Sequence, residues 1–167
     1  NRKNTTHQSI ENTIQTLRKN IQNFVIRTTV MVGFPGETEE QFQELYQFLE
    51  KTKFDRLGAF IYSAEPNTPA AKYENQIDPK VSQRRYDEVM KLQQKIAFQK
   101  NEQLLHKKLE VVIEEQLSKN MYRARSYAEA PEIDPLIYVQ ASKKLRIGKY
   151  YTVEIIKTKD YDLVGKI

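Results

Sequence analysis

The spacing of apolar residues changes near residue 105, and one sheet or one bundle cannot satisfy both patterns. Up to that point apolar side chains recur every three or four residues over long stretches, with short β-branched runs between them. Beyond Lys108 the chain reads LEVVIEE, YRARSYA, PLIYVQ, YYTVEIIK and YDLVGKI, five strand-like segments with no helical stretch between them. The fold class that follows is α/β followed by all-β. Residues 1–104 form the first domain, and residues 105–167 form a small antiparallel barrel or sandwich.

Within the first part, Ile10, Ile14, Leu17 and Ile21 mark an amphipathic helix from about Thr6 to Asn20, with Thr6 as its cap. VIRTTVMV, residues 25–32, reads as a strand. Thr38 and Gln41 form a capping box for a helix whose apolar face is Phe42, Leu45, Tyr46 and Leu49. LGAFIY, residues 57–62, is a second strand. Asp78-Pro79 opens a long helix with Val81, Val89, Leu92 and Ile96 on its buried stripe, running to about Leu105. Helix, strand, helix, strand is the rhythm of a parallel sheet, yet two strands cannot close one. The chain therefore reads as the end of something longer.

Composition narrows the chemistry. With 39% hydrophobic and 29% charged residues the chain has material for a core, and no apolar run approaches the roughly 20 residues that span a bilayer. No secretory signal pattern opens it, so a cytoplasmic protein with no membrane association is expected. There is no cysteine, which excludes disulfides, thiolate catalysis and Cys-ligated zinc or iron–sulfur centres within these residues. The two histidines, His7 and His106, do not suggest a metal site, and the net charge of +5 permits nucleic-acid contact without requiring it.

The corner VGFPGETEE, which follows the first strand, poses the functional question. A phosphate loop would need a lysine after its last glycine, whereas Gly36 precedes Glu37, and Glu39 and Glu40 crowd the helix start. Those carboxylates satisfy the helix dipole and would repel an anion. Strand alternation puts Ile26, Thr28, Val30 and Val32 on one face and Arg27, Thr29 and Met31 on the other. If the apolar face packs under helices, Arg27 faces inward, toward either a neighbouring carboxylate or the carboxylate of a ligand. Gly58, Phe60 and Tyr62 share a face of the second strand, where aromatic core packing and a flat bound ring are both open readings.

IRTTVMVGFPGETEEQF, FDRLGAFIYSAEPNTPAA and the long helix bearing LQQKIAFQKN together resemble the last third of a radical S-adenosylmethionine domain of the methylthiotransferase family. The remainder resembles the TRAM domain of those proteins. Within the family, RSYAEAPEIDPLIYV is most similar to the enzymes that methylthiolate an aspartate β-carbon of small-subunit ribosomal protein twelve. Sister enzymes acting on tRNA adenosine, or a non-catalytic RNA-binding module, are the alternatives. The resemblance implies the C-terminal part of a partial (β/α) radical SAM barrel at 1–104 and an OB-like TRAM β-barrel that recognises substrate at 105–167.

It also implies S-adenosylmethionine as cofactor, and two 4Fe-4S clusters in the full-length enzyme. Their cysteines lie outside this chain, which should be inactive alone. In the cofactor site, Arg27 would meet the methionine carboxylate or a nearby acid. The backbone of Val32, Gly33 and Phe34 would pack near the adenosine, and Tyr62 and Ser63 would border the adenine. VMVGFPGE follows the family's G-x-I-x-G-x-x-E-like strand end, except that Thr29 stands where a leading glycine would be. Glu37 reads as a helix-dipole residue. Asn1 and Arg2 match the close of an upstream M-x-R segment, and no catalytic residue or metal ligand is assigned within the chain.

For the small barrel the question is protein or RNA. Residues 107–167 hold twelve Lys or Arg and nine Asp or Glu, a net +3. A surface that tracks phosphates wants bases without intervening acids. The segment 128–135 instead gathers Glu129, Glu132 and Asp134 around two prolines, and these are the candidate recognition residues for a basic ribosomal protein. The RARS run and the Lys143-Lys144-Arg146 cluster would serve a weak RNA contact. A monomer is expected.

Overall fold

The computed structural model describes residues 5–167, so the reading of Asn1 and Arg2 lies outside the described residues. The first helix, α1 (His7–Asn20), is held at its start by reciprocal bonds: Ser9 N–H donates to the Thr6 hydroxyl at 3.1 Å and Thr6 N–H to the Ser9 hydroxyl at 2.9 Å. Strand β1 (Arg27–Val32) follows, then α2 (Glu39–Thr52), β2 (Arg56–Ile61), a single 3-10 turn at Ala70–Lys72, and α3 (Pro79–Glu102). The Thr38–Gln41 capping box forms as expected, and Arg18 of α1 donates to the last carbonyls of α2, at Thr52 and Lys53.

β1 and β2 pair in parallel, in register from Arg27 opposite Arg56 to Val32 opposite Ile61. Val32 and Ala59 are buried together with Phe42 and Leu49 of α2 and Val89 and Leu92 of α3. The helices therefore cover the Val30/Val32 face, which carries the β-branched residues. The opposite face, with Met31 50% and Phe60 62% exposed, is open among the described residues.

The second unit contains a closed barrel with strand order β3 (Lys108–Ser118), β4 (Met121–Arg125), β5 (Ile137–Gln140), β7 (Asp162–Lys166), β6 (Tyr150–Lys159). Each of the five strand-like segments becomes one of these strands. The antiparallel expectation holds for four of the neighbouring pairs. β5 and β7 run parallel, which is how the barrel closes on itself. Register shifts in β3 and β6 bend the strands enough to close so small a cylinder. Its interior holds Val111, Ile113, Tyr122, Val139, Val153 and Ile155, all fully buried by strict alternation.

The chain divides into two compact units at Gln93/Gln94, inside α3, whereas the sequence puts the boundary at 104/105. The reason is local: Leu104 and Leu105 pack on the barrel core, and Asn101 Nδ2 donates to the Tyr161 carbonyl at 3.0 Å. The last turns of α3 therefore belong with the β-rich unit.

Candidate functional site

The corner after β1 is a tight turn pinned at both ends. Glu37 N–H donates to the Phe34 carbonyl at 2.9 Å, with Pro35 and Gly36 (φ +85°) as the central residues, the conformation that this residue pair favours. Gly33, at φ +74°, packs so close to α3 that a Cβ would run into the Ser82 side chain. Its N–H donates to the Glu37 carboxylate at 2.6 Å, and the same oxygen receives Arg85 Nη1 at 2.7 Å. Gly36 N–H donates to the Asn75 carbonyl at 2.8 Å, tying the corner to the loop after the 3-10 turn. Beside it lies a depression of about 460 Å³, bordered by Pro35, Gly36 and residues 72–75.

Around this corner three rings meet edge to face. Phe34 lies 5.2 Å from Tyr62 and 6.2 Å from Tyr73, centroid to centroid. Phe34 and Tyr73 are both substantially exposed, and the Tyr62 hydroxyl is buried without a hydrogen-bond partner among the described residues. Below the rings, the open sheet face shows bare backbone at Gly58, where a Cβ would meet only Thr29 Oγ1, at 3.9 Å. An apolar strip beside aromatic edges suits a flat ring.

Of the residues expected to line a cofactor site, the structure gathers Val32, Gly33, Phe34, Tyr62 and Ser63 at the C-terminal ends of the two strands. Two of them have their polar backbone atoms engaged internally: the Val32 carbonyl accepts Tyr62 N–H at 2.9 Å, and the Gly33 amide serves Glu37. Phe34 offers a ring, and Ser63 is exposed. Arg27 is not brought to this group. It does stand on the face away from the helices, but at the start of β1, five residues from Val32 and so about 16 Å along the strand. There it sits opposite Arg56 and beside Asp55, whose carboxylate accepts Ile26 N–H at 2.8 Å.

In the loop between β4 and β5 the three candidate recognition acids stand in different surroundings. Glu129 is 8% exposed, and its carboxylate accepts both Ser126 N–H, at 2.9 Å, and Ser126 Oγ–H, at 2.6 Å. Asp134 accepts Ala130 N–H at 2.7 Å. Both carboxylates bond backbone amides that the irregular loop would otherwise leave unsatisfied. Glu132 is exposed, between Tyr127 (66%) and Ile133 (77%) in the same loop. The RARS arginines are also engaged, since Arg125 meets Glu114 at 2.9 Å and Arg123 meets Glu115 at 3.2 Å. Lys143, Lys144 and Arg146 are exposed.

Sequence reasoning missed Arg85 and Tyr73 and underrated Glu37. A signal for Arg85 was present: it falls on the helical stripe with Val81, Val89, Leu92 and Ile96, where a guanidinium demands a partner. Tyr73 had none, because only the folded loop carries it to Phe34. Glu39 completes the charge cluster, bonded by Arg84 at 2.7 Å and Arg85 at 3.1 Å, and those guanidiniums hold its carboxyl at about 2. Among the described residues no group of three or more His, Cys, Asp and Glu converges to hold a metal ion.

A TRAM domain model matches residues 107–167. Across 167 residues, the whole chain, it is 46% identical to the protein named ribosomal protein uS12 methylthiotransferase RimO of Clostridioides difficile strain 630. It is 47% identical over the same length to the RimO of Caldicellulosiruptor saccharolyticus. With the RimO of Desulforamulus reducens it shares 46% identity over 164 residues, 97% of the chain. The chain spans 37%, 38% and 37% of the length of these three relatives.

Proposed function

From a chain that is similar to the RimO methylthiotransferases along its whole length and carries a TRAM domain at residues 107–167, we propose that it forms part of an enzyme that adds a methylthio group to an aspartate β-carbon of ribosomal protein uS12. The observation that carries this reading is a match that spans both the α/β unit and the barrel, which a shared TRAM domain alone would not produce. In this reading the enzyme works in the cytoplasm, where ribosomes are assembled. The chain has no cysteine, so the iron–sulfur clusters would be held by residues outside it and these residues alone would be inactive.

S-adenosylmethionine, when bound, would supply the radical chemistry and the methyl group. What this chain contributes is a surface. Phe34 and Tyr62 would border the adenine, and the strip at Gly58 would let the nucleoside lie flat. Phe34→Ala in the full-length enzyme should then weaken S-adenosylmethionine binding. Mass spectrometry of uS12 from cells with and without the gene tests the activity. The modified aspartate should disappear on deletion and return on complementation, and its persistence in the deletion strain would refute the reading.

A second reading is favoured by the exposed Lys143, Lys144 and Arg146: the barrel contacts RNA, and the substrate is a tRNA adenosine. It predicts tRNA or rRNA retention with a steep salt dependence. The first reading predicts instead that Glu132→Lys weakens binding of isolated uS12, because Glu132 is the acid of its loop that faces solvent.

A further inference from the structure

Arg85 sits on the buried stripe of α3, one turn before Val89, with a side chain 4% exposed. Its Nη1 donates to the Glu37 carboxylate at 2.7 Å and to the Glu37 carbonyl at 3.2 Å, and Nη2 reaches Glu39 at 3.1 Å. The Phe42 ring lies 5.4 Å from the guanidinium carbon, and Nε is buried without a partner among the described residues. Stability alone does not call for this arrangement, because a well-packed apolar side chain generally serves a buried helix position as well as an ion pair does. What the pair supplies is geometry. One Glu37 oxygen accepts both Arg85 and the Gly33 amide, so a long helix is wired to the last peptide of β1. Phe34 is held between that pinned amide and the Phe34–Glu37 turn.

We infer that Arg85 and Glu37 are positioning residues: acting through the Gly33 amide, they fix the Phe34 ring against Tyr62 and so pre-form the rim that receives the cofactor's adenine. The inference rests on the cofactor reading above. Neither residue needs to touch the ligand, and a rim fixed before binding loses less freedom on binding than one that must be ordered by it.

The test uses the full-length enzyme with Glu37→Gln, which keeps the shape and removes the charge, together with Arg85→Met and Arg85→Lys. Two quantities are read: S-adenosylmethionine affinity by equilibrium dialysis, and hydrogen exchange at Gly33 and Phe34 against Val30 and Leu49 as internal controls. Loss of a charged hydrogen bond should speed exchange at Gly33 by about tenfold or more and weaken affinity by a similar factor, with the control amides unchanged. Arg85→Lys should recover part of both. Faster exchange at Gly33 with unaltered affinity would overturn the inference alone. A parent enzyme that does not bind S-adenosylmethionine would overturn the cofactor reading, and the inference with it. If Arg85→Met does not fold, the isosteric Glu37→Gln still decides.

Discussion

Gly33 and Gly36 stand three residues apart with similar positive φ, and they are glycines for different reasons. Gly36 needs only the backbone conformation, since nothing lies within 4 Å of where its Cβ would be. Gly36→Ala should therefore cost about 1 kcal/mol, the usual penalty of a left-handed L-residue. Gly33→Ala adds a collision with Ser82 and should cost about 3 kcal/mol, as over-packing does elsewhere. Urea unfolding of the two variants checks the order. Glu39 makes a prediction in pH. Hydrogen bonds from Arg84 and then Arg85 lower its carboxyl from 4.5 to about 2, so its contribution is present above pH 4.5 and disappears as pH falls through 2. Its side chain is 47% exposed and solvent screens the pair, so Glu39→Gln should cost less than about 1 kcal/mol at neutral pH. The difference from the parent should shrink below pH 4.5 and vanish near pH 2, and a constant gap in acid-unfolding curves would contradict it.

At the scale of the element, the β4–β5 loop shows how acids of one short segment can do unlike work. Glu129 and Ser126 close the turn after β4, Asp134 closes the next, and Asp162 of β7 accepts Leu136 N–H at 2.8 Å as the chain enters β5. Glu129→Ala leaves a buried amide and hydroxyl without that acceptor and should cost about 1–3 kcal/mol. Glu132→Ala should fall within about 0.5 kcal/mol of the parent, as exposed surface changes do. Binding of a basic protein should reverse the ranking, with Glu132 the sensitive position. Thermal unfolding and a pull-down on the same pair of variants separate the two roles. The helices were more legible. Thr6, Thr38 and Asp78 each cap where their local spacing says they should, because a cap is satisfied within four residues and needs no tertiary partner.

For the molecule as a whole, two cores serve two units. The barrel has its own closed hydrogen-bond ladder and buried interior, with Asn101 supplied by the end of α3 and Leu104 and Leu105 by the turn that follows it. Residues 94–167 expressed alone should then give a cooperative thermal transition, whereas a fragment beginning at 107 should melt lower, having lost Leu104 and Leu105 from the core's edge. Circular dichroism of the two fragments checks this.

Period and local chemistry were enough for the order of elements, the caps, the proline–glycine corner and the change from α/β to all-β near residue 105. Each of these depends on residues a few positions apart, where the chain's own geometry leaves little choice. Tertiary structure alone decided that Glu37 joins α3 to the end of β1 and that β5 meets β7 in parallel. Those outcomes depend on partners 48 and 26 positions away. Spacing in sequence says that a buried arginine or an acid in a loop must find a partner, but only the packed fold says which one it finds.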